Sequence, residues 1–160
     1  MNRIQFEIMG EPFGKQRPRV VTTNGYARAY TPEKTIRYEN KVLNAYLESV
    51  KDTPNEHIIP FENEPLFCTI QATFGLSKGD YGKKGLNKHG RNKLDTYFCD
   101  KHLDSDNIAK VIQDALNGVA YKDDKQICGL LVIKAWGEMP SVKVTLENCP
   151  KGVEHGETPK

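Results

Sequence analysis

One segment limits what this chain can fold into more than any other: residues 101–127, which combine an amphipathic helix pattern with closely spaced carboxylates. Five of its apolar residues recur at helical spacing and share one face: Ile108, Val111, Ile112, Ala115 and Leu116. That face must be buried, so the pattern predicts a helix over about residues 105–117 that packs on a sheet. Gly118 is its expected left-handed C-cap.

The rest of the chain predicts the sheet that this helix needs. Alternating or β-branched stretches indicate four strands, at residues 3–9, 66–76, 127–136 and 141–147. Asn24-Gly25 indicates a short hairpin within residues 20–30. The order strand–helix–strand–loop–helix–strand–strand predicts an α/β protein of the α+β type. We expect one compact domain over residues 3–148, with a mixed β-sheet and two main helices, followed by a polar tail at residues 149–160.

The helix before the second strand has clear start signals. Thr31 is its expected N-cap, with Pro32 at the first helical position. Five apolar residues at helical spacing are expected to pack on the sheet: Ile36, Leu43, Tyr46, Leu47 and Val50. This helix therefore supplies a second element on the same sheet.

Positive charge is concentrated in two parts of a chain whose net charge is only +2. Residues 1–31 hold five Lys or Arg against two acidic residues, and residues 78–101 hold seven against three. Such segments suit a polyanionic partner, although solvated loops are the simpler explanation. Residues 77–101 contain four glycines and few apolar residues, which predicts a flexible basic loop. Such a loop is either an arm that grips phosphates or a tolerated surface insertion.

Several classes of protein are excluded by what the sequence does not contain. No run of about 18 apolar residues occurs, so we expect no membrane span. No G-x-x-x-x-G-K-[ST] motif occurs, so we expect no nucleotide cofactor of that kind. Four scattered cysteines without a C-x-x-C pair, in a chain without a signal-peptide pattern, predict a reducing cytoplasmic location and no zinc site.

Carboxylates flank the predicted helix at both ends. Asp104 and Asp106 stand at its start, and Asp123 and Asp124 follow its end. Helix capping explains one aspartate near a helix N-terminus, but not two aspartates and a further pair. Hard oxygen ligands at this density predict a site for Mg²⁺, with Mn²⁺ as a substitute. Such an ion activates water and neutralises phosphate, so the pattern predicts cleavage of nucleic-acid phosphodiesters.

Lys110 lies one helical turn after Asp106 and one turn before Asp114, on the same helix surface. Two interpretations of Lys110 are open from the residues alone. Its ammonium group can add positive charge at a bound phosphate, or it can form an ion pair with one of these two aspartates.

A compound motif carries a family resemblance. Residues 104–118, D-S-D-N-I-A-K-V-I-Q-D-A-L-N-G, and residues 121–127, Y-K-D-D-K-Q-I, resemble the RusA-like family of Holliday-junction resolvases, the crossover junction endodeoxyribonucleases. Three shorter segments are similar to the N-terminal pattern of that family: K-Q-R-P-R at residues 15–19, Tyr30-Thr31-Pro32 and Tyr38-Glu39. The resemblance implies a homodimeric, Mg²⁺-dependent endonuclease of phage or prophage type. Such an enzyme resolves four-way DNA junctions in recombination and repair by paired symmetric nicks.

The resemblance also implies roles for individual residues. The metal carboxylates of the family fall on Asp104, Asp106 and Asp124, and its catalytic lysine falls on Lys110. Asp123 is then a neighbour of the site, and Asp114 is an outer partner of Lys110. The apolar strand at residues 127–136 is a candidate dimer interface.

The expected DNA contacts lie in the two basic segments: Lys15, Arg17, Arg19, Lys83, Lys84, Lys88, Arg91 and Lys101. The aromatic or imidazole rings of Tyr81, His89 and Tyr97 could stack on bases. The long basic segment and Lys101-His102 before the motif depart from better-known bacterial members of the family. Two alternatives therefore stay open: a nuclease that acts on forks, flaps or RNA, and a non-catalytic DNA-binding module.

Overall fold

The computed structural model describes residues 3–52, 60–100 and 103–149. Its elements in chain order are β1 (Arg3–Met9), β2 (Arg19–Thr23), β3 (Tyr26–Tyr30), α1 (Glu33–Val50), β4 (Leu66–Gly75), β5 (Tyr81–Gly82), β6 (Gly85–Leu86), α2 (Lys88–Thr96), α3 (Ser105–Leu116), β7 (Ile127–Gly137) and β8 (Ser141–Asn148). The predicted mixed α and β class is confirmed, with the four main strands and two main helices in the expected chain order.

The main sheet has the order β1-β8-β4-β7. β8 is antiparallel to both β1 and β4, whereas β7 is parallel to β4. A parallel pair needs a long crossover connection, and the chain between β4 and β7 supplies it. Alternate residues of β4 are buried from Leu66 to Phe74. They face α1 and α3, and this layer is the hydrophobic core.

α3 uses the predicted apolar face. Ile108, Val111, Ile112 and Leu116 are all almost completely buried. Gly118 has a φ of 75°, which confirms the expected left-handed conformation just beyond the helix end.

α1 begins later and is rotated relative to the prediction. Pro32, not Thr31, is its N-cap, and no side chain forms a cap hydrogen bond there. The buried stripe runs through the residues spaced by four along the helix: Tyr38, Val42, Tyr46 and Val50. Ile36 and Leu47, which were expected to pack on the sheet, are both 44% exposed. The large rings decide the rotation, because Tyr46 packs edge-on against Phe6 of β1 and Tyr38 packs against Phe13.

The hairpin predicted at Asn24-Gly25 is confirmed. Both residues have positive φ values, 52° and 81°, and they join β2 to β3. Such values are typical of the turns that match the twist of a two-residue hairpin. All residues of β2 and β3 are exposed, so the hairpin is an arm outside the core.

The expectation of a flexible loop at residues 77–101 is wrong for residues 78–96. This part forms a 3₁₀ turn (Lys78–Asp80), the β5–β6 hairpin and α2. Its centre is polar: the buried Asp80 carboxylate accepts hydrogen bonds from Ser77 and from the Lys93 ammonium group at 2.9 Å. Gly90 of α2 lies directly on the Asp80 carbonyl, where a Cβ atom would collide. Buried hydrogen bonds hold this segment together, because it has too few apolar residues to form a core of its own.

The predicted domain limits of 3–148 stay a prediction, and residues 150–160 of the expected tail lie outside the described residues. Within the described ranges, no helix is both long and apolar enough to cross a membrane. Among the described residues, none of the four cysteines forms a disulfide, and Cys68 and Cys99 are buried.

Candidate functional site

Two exposed aspartates stand at the N-terminus of α3. Asp104 is the N-cap residue, and its backbone carbonyl accepts the first helical hydrogen bond from the Ile108 amide at 3.2 Å. Its carboxylate makes no cap hydrogen bond, and from the described residues it receives only a long contact of 3.4 Å from the side-chain amide of Asn107. Asp106 follows in the first turn and is also exposed. Capping therefore does not account for these carboxylates, which leaves their oxygens accessible to a ligand.

Contacts from two other elements fix the backbone around Asp104. Lys134 of β7 donates a hydrogen bond from Nζ to the Leu103 carbonyl at 2.9 Å. The Lys15 amide donates to the Asn107 carbonyl at 2.9 Å. Gly14 packs so closely here that an added Cβ would lie 3.2 Å from Asn107 Cβ. The start of α3 is thus held by the sheet on one side and by the loop after β1 on the other.

Lys110 is exposed one turn further along α3. The ion pairs considered for it, with Asp106 or Asp114, are both absent among the described side chains. Asp114 is instead bound by Lys15. The Lys110 ammonium group therefore faces solvent from the same helix as the two aspartates.

Lys15 has a different position from the one expected of a phosphate contact. Its ammonium group binds the carboxylates of Asp114 on α3 and Glu39 on α1, and the side chain is only 21% exposed. Burial lowers the pKa of Lys15, but the hydrogen bonds to these two carboxylates outweigh it and hold the pKa above its usual value. Lys15 therefore joins α1 to α3, with its charge already compensated.

The two aspartates after α3 have different environments. Asp123 is the N-cap of a 3₁₀ turn (Asp124–Gln126), and its carboxylate accepts from the Lys125 amide at 3.0 Å. The Gln126 side chain completes the capping box by accepting from the Asp123 amide. The hydrogen bond from the Lys125 amide, together with the Lys125 ammonium group at 3.2 Å, lowers the pKa of Asp123. Asp124 is exposed and takes no part in the cap. The structure thus gives Asp123 a structural role and leaves Asp124 accessible.

Tyr121 connects this turn to α3. Its ring is fully buried, and its hydroxyl donates to the Gln113 carbonyl at 2.9 Å. Burial raises the pKa of Tyr121, and the negative charges of Asp124 and Asp114 raise it further. The hydroxyl is therefore a neutral donor that holds the loop after α3 against the helix, on the side where Asp124 emerges.

Asp104, Asp106 and Asp124 are exposed carboxylates, and hard oxygen donors of this kind suit Mg²⁺. Within residues 3–52, 60–100 and 103–149, no three His, Cys, Asp or Glu side chains lie close enough together to hold a metal ion. Packing fixes none of the three side chains, so their rotamers can change without disturbing the core. The three-carboxylate metal site stays a prediction.

The cations expected to contact DNA lie on two exposed features. Arg17 and Arg19 precede and begin the β2–β3 arm, and Arg28, which the sequence analysis did not single out, lies on its second strand. Residues 12–32 contain no acidic residue, a signal that could have identified Arg28.

The second basic feature is the folded insertion between β4 and α3. Lys83 and Lys84 occupy the turn between β5 and β6, and Lys88 and Arg91 are exposed on α2. Lys101 lies outside the described residues. Folding of this segment therefore gives four of the expected cations fixed positions on one substructure.

Comparisons with known proteins point to a single family. The sequence model of the family described as Endodeoxyribonuclease RusA matches residues 9–147, which include α3 and the turn that follows it. The chain is also similar to the protein described as "Uncharacterized protein YqaN" from Bacillus subtilis (strain 168). The two are 30% identical over 146 residues, which is 91% of this chain and 96% of that protein.

Proposed function

From the membership of this chain in the endodeoxyribonuclease RusA family, a family of DNA nucleases, we propose that it is a Mg²⁺-dependent endonuclease that resolves four-way DNA junctions by paired symmetric nicks. One observation carries this proposal beyond the family match. Asp104 stands at the N-cap of α3 with a carboxylate that no cap hydrogen bond occupies, and Asp106 is exposed in the first turn beside it. A purely structural role would use at least the N-cap carboxylate.

Asp104, Asp106 and Asp124 would hold the metal ion. When bound, the ion supplies positive charge at the scissile phosphate and an acidified water. Lys110, exposed on the same helix, places a second positive charge beside that phosphate. Lys134 and the loop at Gly14 keep the start of α3 in place, so the aspartates project from a fixed backbone.

DNA would be bound through phosphate contacts on the two exposed basic features. The residues proposed for these contacts are Arg17, Arg19, Arg28, Lys83, Lys84, Lys88, Arg91 and Lys101. Lys15 is better explained as the cation that joins α1 to α3, because two carboxylates already compensate its charge. Phosphate contacts position the enzyme on DNA without reading its sequence.

A homodimer fits this activity, because a four-way junction presents two equivalent strands for symmetric cutting. The β7 edge of the sheet supports this part of the proposal. β7 is an edge strand of the main sheet, and its Leu130 is 46% exposed, so a second copy that covers this edge would bury an apolar side chain.

A gel assay tests the proposed function. Labelled four-way junction, replication fork and linear duplex of matched sequence are incubated with the protein in Mg²⁺ and, separately, in EDTA. We expect paired nicks in the junction only when Mg²⁺ is present, and little cleavage of the linear duplex. Preferential cleavage of the fork would identify a fork nuclease, and binding without cleavage of any substrate would identify a non-catalytic module.

A further inference from the structure

An open depression with a volume of about 400 Å³ lies between α2 and the end of β7. The residues of its wall that matter here are Asn92, Lys93, Phe98, Asp100 and Trp136. Its volume falls within the range of small-ligand sites. The proposed phosphate contacts do not use it, and it exists only because the insertion folds into α2.

A second open depression, also of about 400 Å³, shares Phe98 and Asp100 with the first. It extends along β7 to Ser105, the residue between the two aspartates at the start of α3. We call the two adjoining depressions the base groove. It runs from α2 past Phe98 to the first residue of α3.

Phe98 is held firmly, yet its ring points outward. Tyr97 has φ 65° and ψ −58°, and the Phe98 amide donates to the Thr96 carbonyl at 2.8 Å, which defines a γ-turn of the rare, strained kind. The Trp136 amide binds the Tyr97 carbonyl at 2.7 Å, and the Cys99 amide binds the Lys134 carbonyl at 2.9 Å. Phe98 is thus fixed to β7 from both sides while remaining 64% exposed.

The polar groups of the groove suit the edge of a nucleobase. The Asn92 amide can donate and accept hydrogen bonds, and the Asp100 carboxylate can accept from an exocyclic amino group. Lys93 already has two partners: Asp80 at 2.9 Å and the Trp136 ring, whose centroid is 4.5 Å from Nζ. Because Lys93 is compensated, the inner wall of the groove attracts a flat neutral group more than a phosphate.

The outer surface of α2, in contrast, suits phosphates more than bases. Lys88 and Arg91 are exposed there and suit the backbone of a nucleic-acid strand. A strand bound along these cations would place its phosphates outside and its bases toward Phe98. Base pairs of a duplex keep their edges and faces occupied, so only an unpaired base can enter.

We propose that the base groove binds one unpaired nucleobase of branched DNA, stacked on the Phe98 ring, beside the strand that enters the cleavage site. This inference rests on the proposed function, because it takes DNA as the substrate. It identifies Phe98 as a residue that selects substrates with unpaired bases at the branch point.

The test uses the full chain in EDTA, with two four-way junctions of one sequence, one fully paired and one with an unpaired 2-aminopurine nucleotide at the branch. We expect the wild type to bind the second junction about ten-fold more tightly, as one aromatic–base stack allows, and to quench its 2-aminopurine fluorescence. Phe98→Ala should lose both effects, and Phe98→Tyr should retain them. Leu47→Ala, an exposed site on α1, is the control and should behave as the wild type.

The outcomes separate this proposal from the proposed function. The stacking signal is measured without Mg²⁺, so it judges the base groove even if no substrate is cleaved. Conversely, junction cleavage with no loss of preference or quenching in Phe98→Ala would overturn the base groove and leave the nuclease intact. If Phe98→Ala keeps its quenching but turns a dimer into a monomer in sedimentation, Phe98 is covered by a second copy and the proposal is wrong.

Discussion

Asp104 occupies the N-cap position of α3 but does not use its carboxylate as a cap. A substitution of Asp104 should therefore affect catalysis without affecting stability. Replacing an N-cap aspartate whose carboxylate bonds the helix lowers the stability of the protein. Replacing one that makes no such bond changes the stability very little.

For Asp104→Asn we expect cleavage of four-way junctions to be abolished, because the metal loses a charged ligand. Junction binding should be retained or tightened, because a negative charge near DNA is removed. The free energy of unfolding in urea should change by less than about 0.5 kcal/mol, as for other exposed sites. Asp52→Asn, at an exposed site after α1, serves as the control, and normal cleavage by Asp104→Asn in Mg²⁺ would refute the metal site.

Asp123 and Asp124 are neighbours with different predicted roles. Asp124→Asn should abolish cleavage and leave the thermal unfolding midpoint unchanged, because its carboxylate is outside the cap. Asp123→Ala should lower that midpoint by a few degrees through loss of the cap. Asp123→Ser, which can still cap, should recover most of the loss. The assignment fails if Asp123→Ser folds normally but cannot cleave, while Asp124→Asn remains active.

Some contacts between individual residues could not be predicted from the sequence. Lys15 and Asp114 are 99 residues apart, and nothing local to either predicts their ion pair. The locally obvious partner of Asp114 was Lys110 on the same helix surface. The tertiary contact prevails because Lys15 binds two carboxylates at once in a partly buried place.

At the scale of elements, α2 and its 3₁₀ turn are organised by one buried carboxylate. The hydrogen bond from Lys93 is the main reason that the pKa of Asp80 falls from 3.8 to about 2, with Ser77 adding to it against the effect of burial. His89 Nε2 also lies 3.6 Å from the Asp80 carboxylate. The charged form of Asp80 therefore stabilises the folded insertion.

The pH dependence follows from the direction of this shift. A carboxyl with a lowered pKa adds stability above its unfolded value, near pH 4, and that stability is lost as pH falls toward 2. We expect the free energy of unfolding to decline over this interval, and Asp80→Asn to flatten the decline while reducing stability at neutral pH. Urea unfolding at a series of pH values measures this, with Asp95→Asn as the control on α2. An Asp80→Asn protein with the wild-type slope would contradict the assignment.

The elements that the sequence predicted well are those with a strong apolar period. α3, β4 and β8 each bury the expected face, because burial of apolar area is what fixes them. β7 forms where its apolar run predicts a strand, but only Ala135 and Trp136 of it are buried, so the expectation of a buried strand there is wrong. α2 was missed because its stability comes from polar contacts within a segment poor in apolar residues. Two signals were nevertheless readable: the Ser77 and Asp80 spacing of a capping box, and Asn87 as an N-cap that accepts from the Gly90 amide at 3.0 Å.

For the molecule as a whole, the distribution of charge matters more than its sum. The net charge is +2, but Lys15 and Lys93 are compensated inside the structure. The uncompensated cations include Lys110 and those of the β2–β3 arm, the β5–β6 turn and α2. DNA binding should therefore be strongly dependent on salt, because phosphate contacts release counterions.

We expect Arg17→Gln combined with Arg19→Gln to weaken junction binding and to reduce the slope of log Kd against log salt by about two, roughly one for each phosphate contact. Fluorescence anisotropy at several salt concentrations measures the slope. Arg37→Gln is the matched control, because Arg37 is also exposed but lies on α1 beside Glu33. An unchanged slope in the double variant would remove the β2–β3 arm from the DNA interface.

The parallel pairing of β4 with β7 has a further consequence. The insertion that carries α2 begins where one of these strands ends, and α3 and its turn return the chain to the start of the other. The pairing of β4 with β7 does not itself use the insertion, whose backbone contacts with the sheet are made at the end of β7 by residues 97–99. In natural variants or chimaeras, the insertion could thus be replaced by one that selects a different DNA structure. The cleavage chemistry would stay the same. Substrate range and catalysis would then evolve as separate modules of one chain.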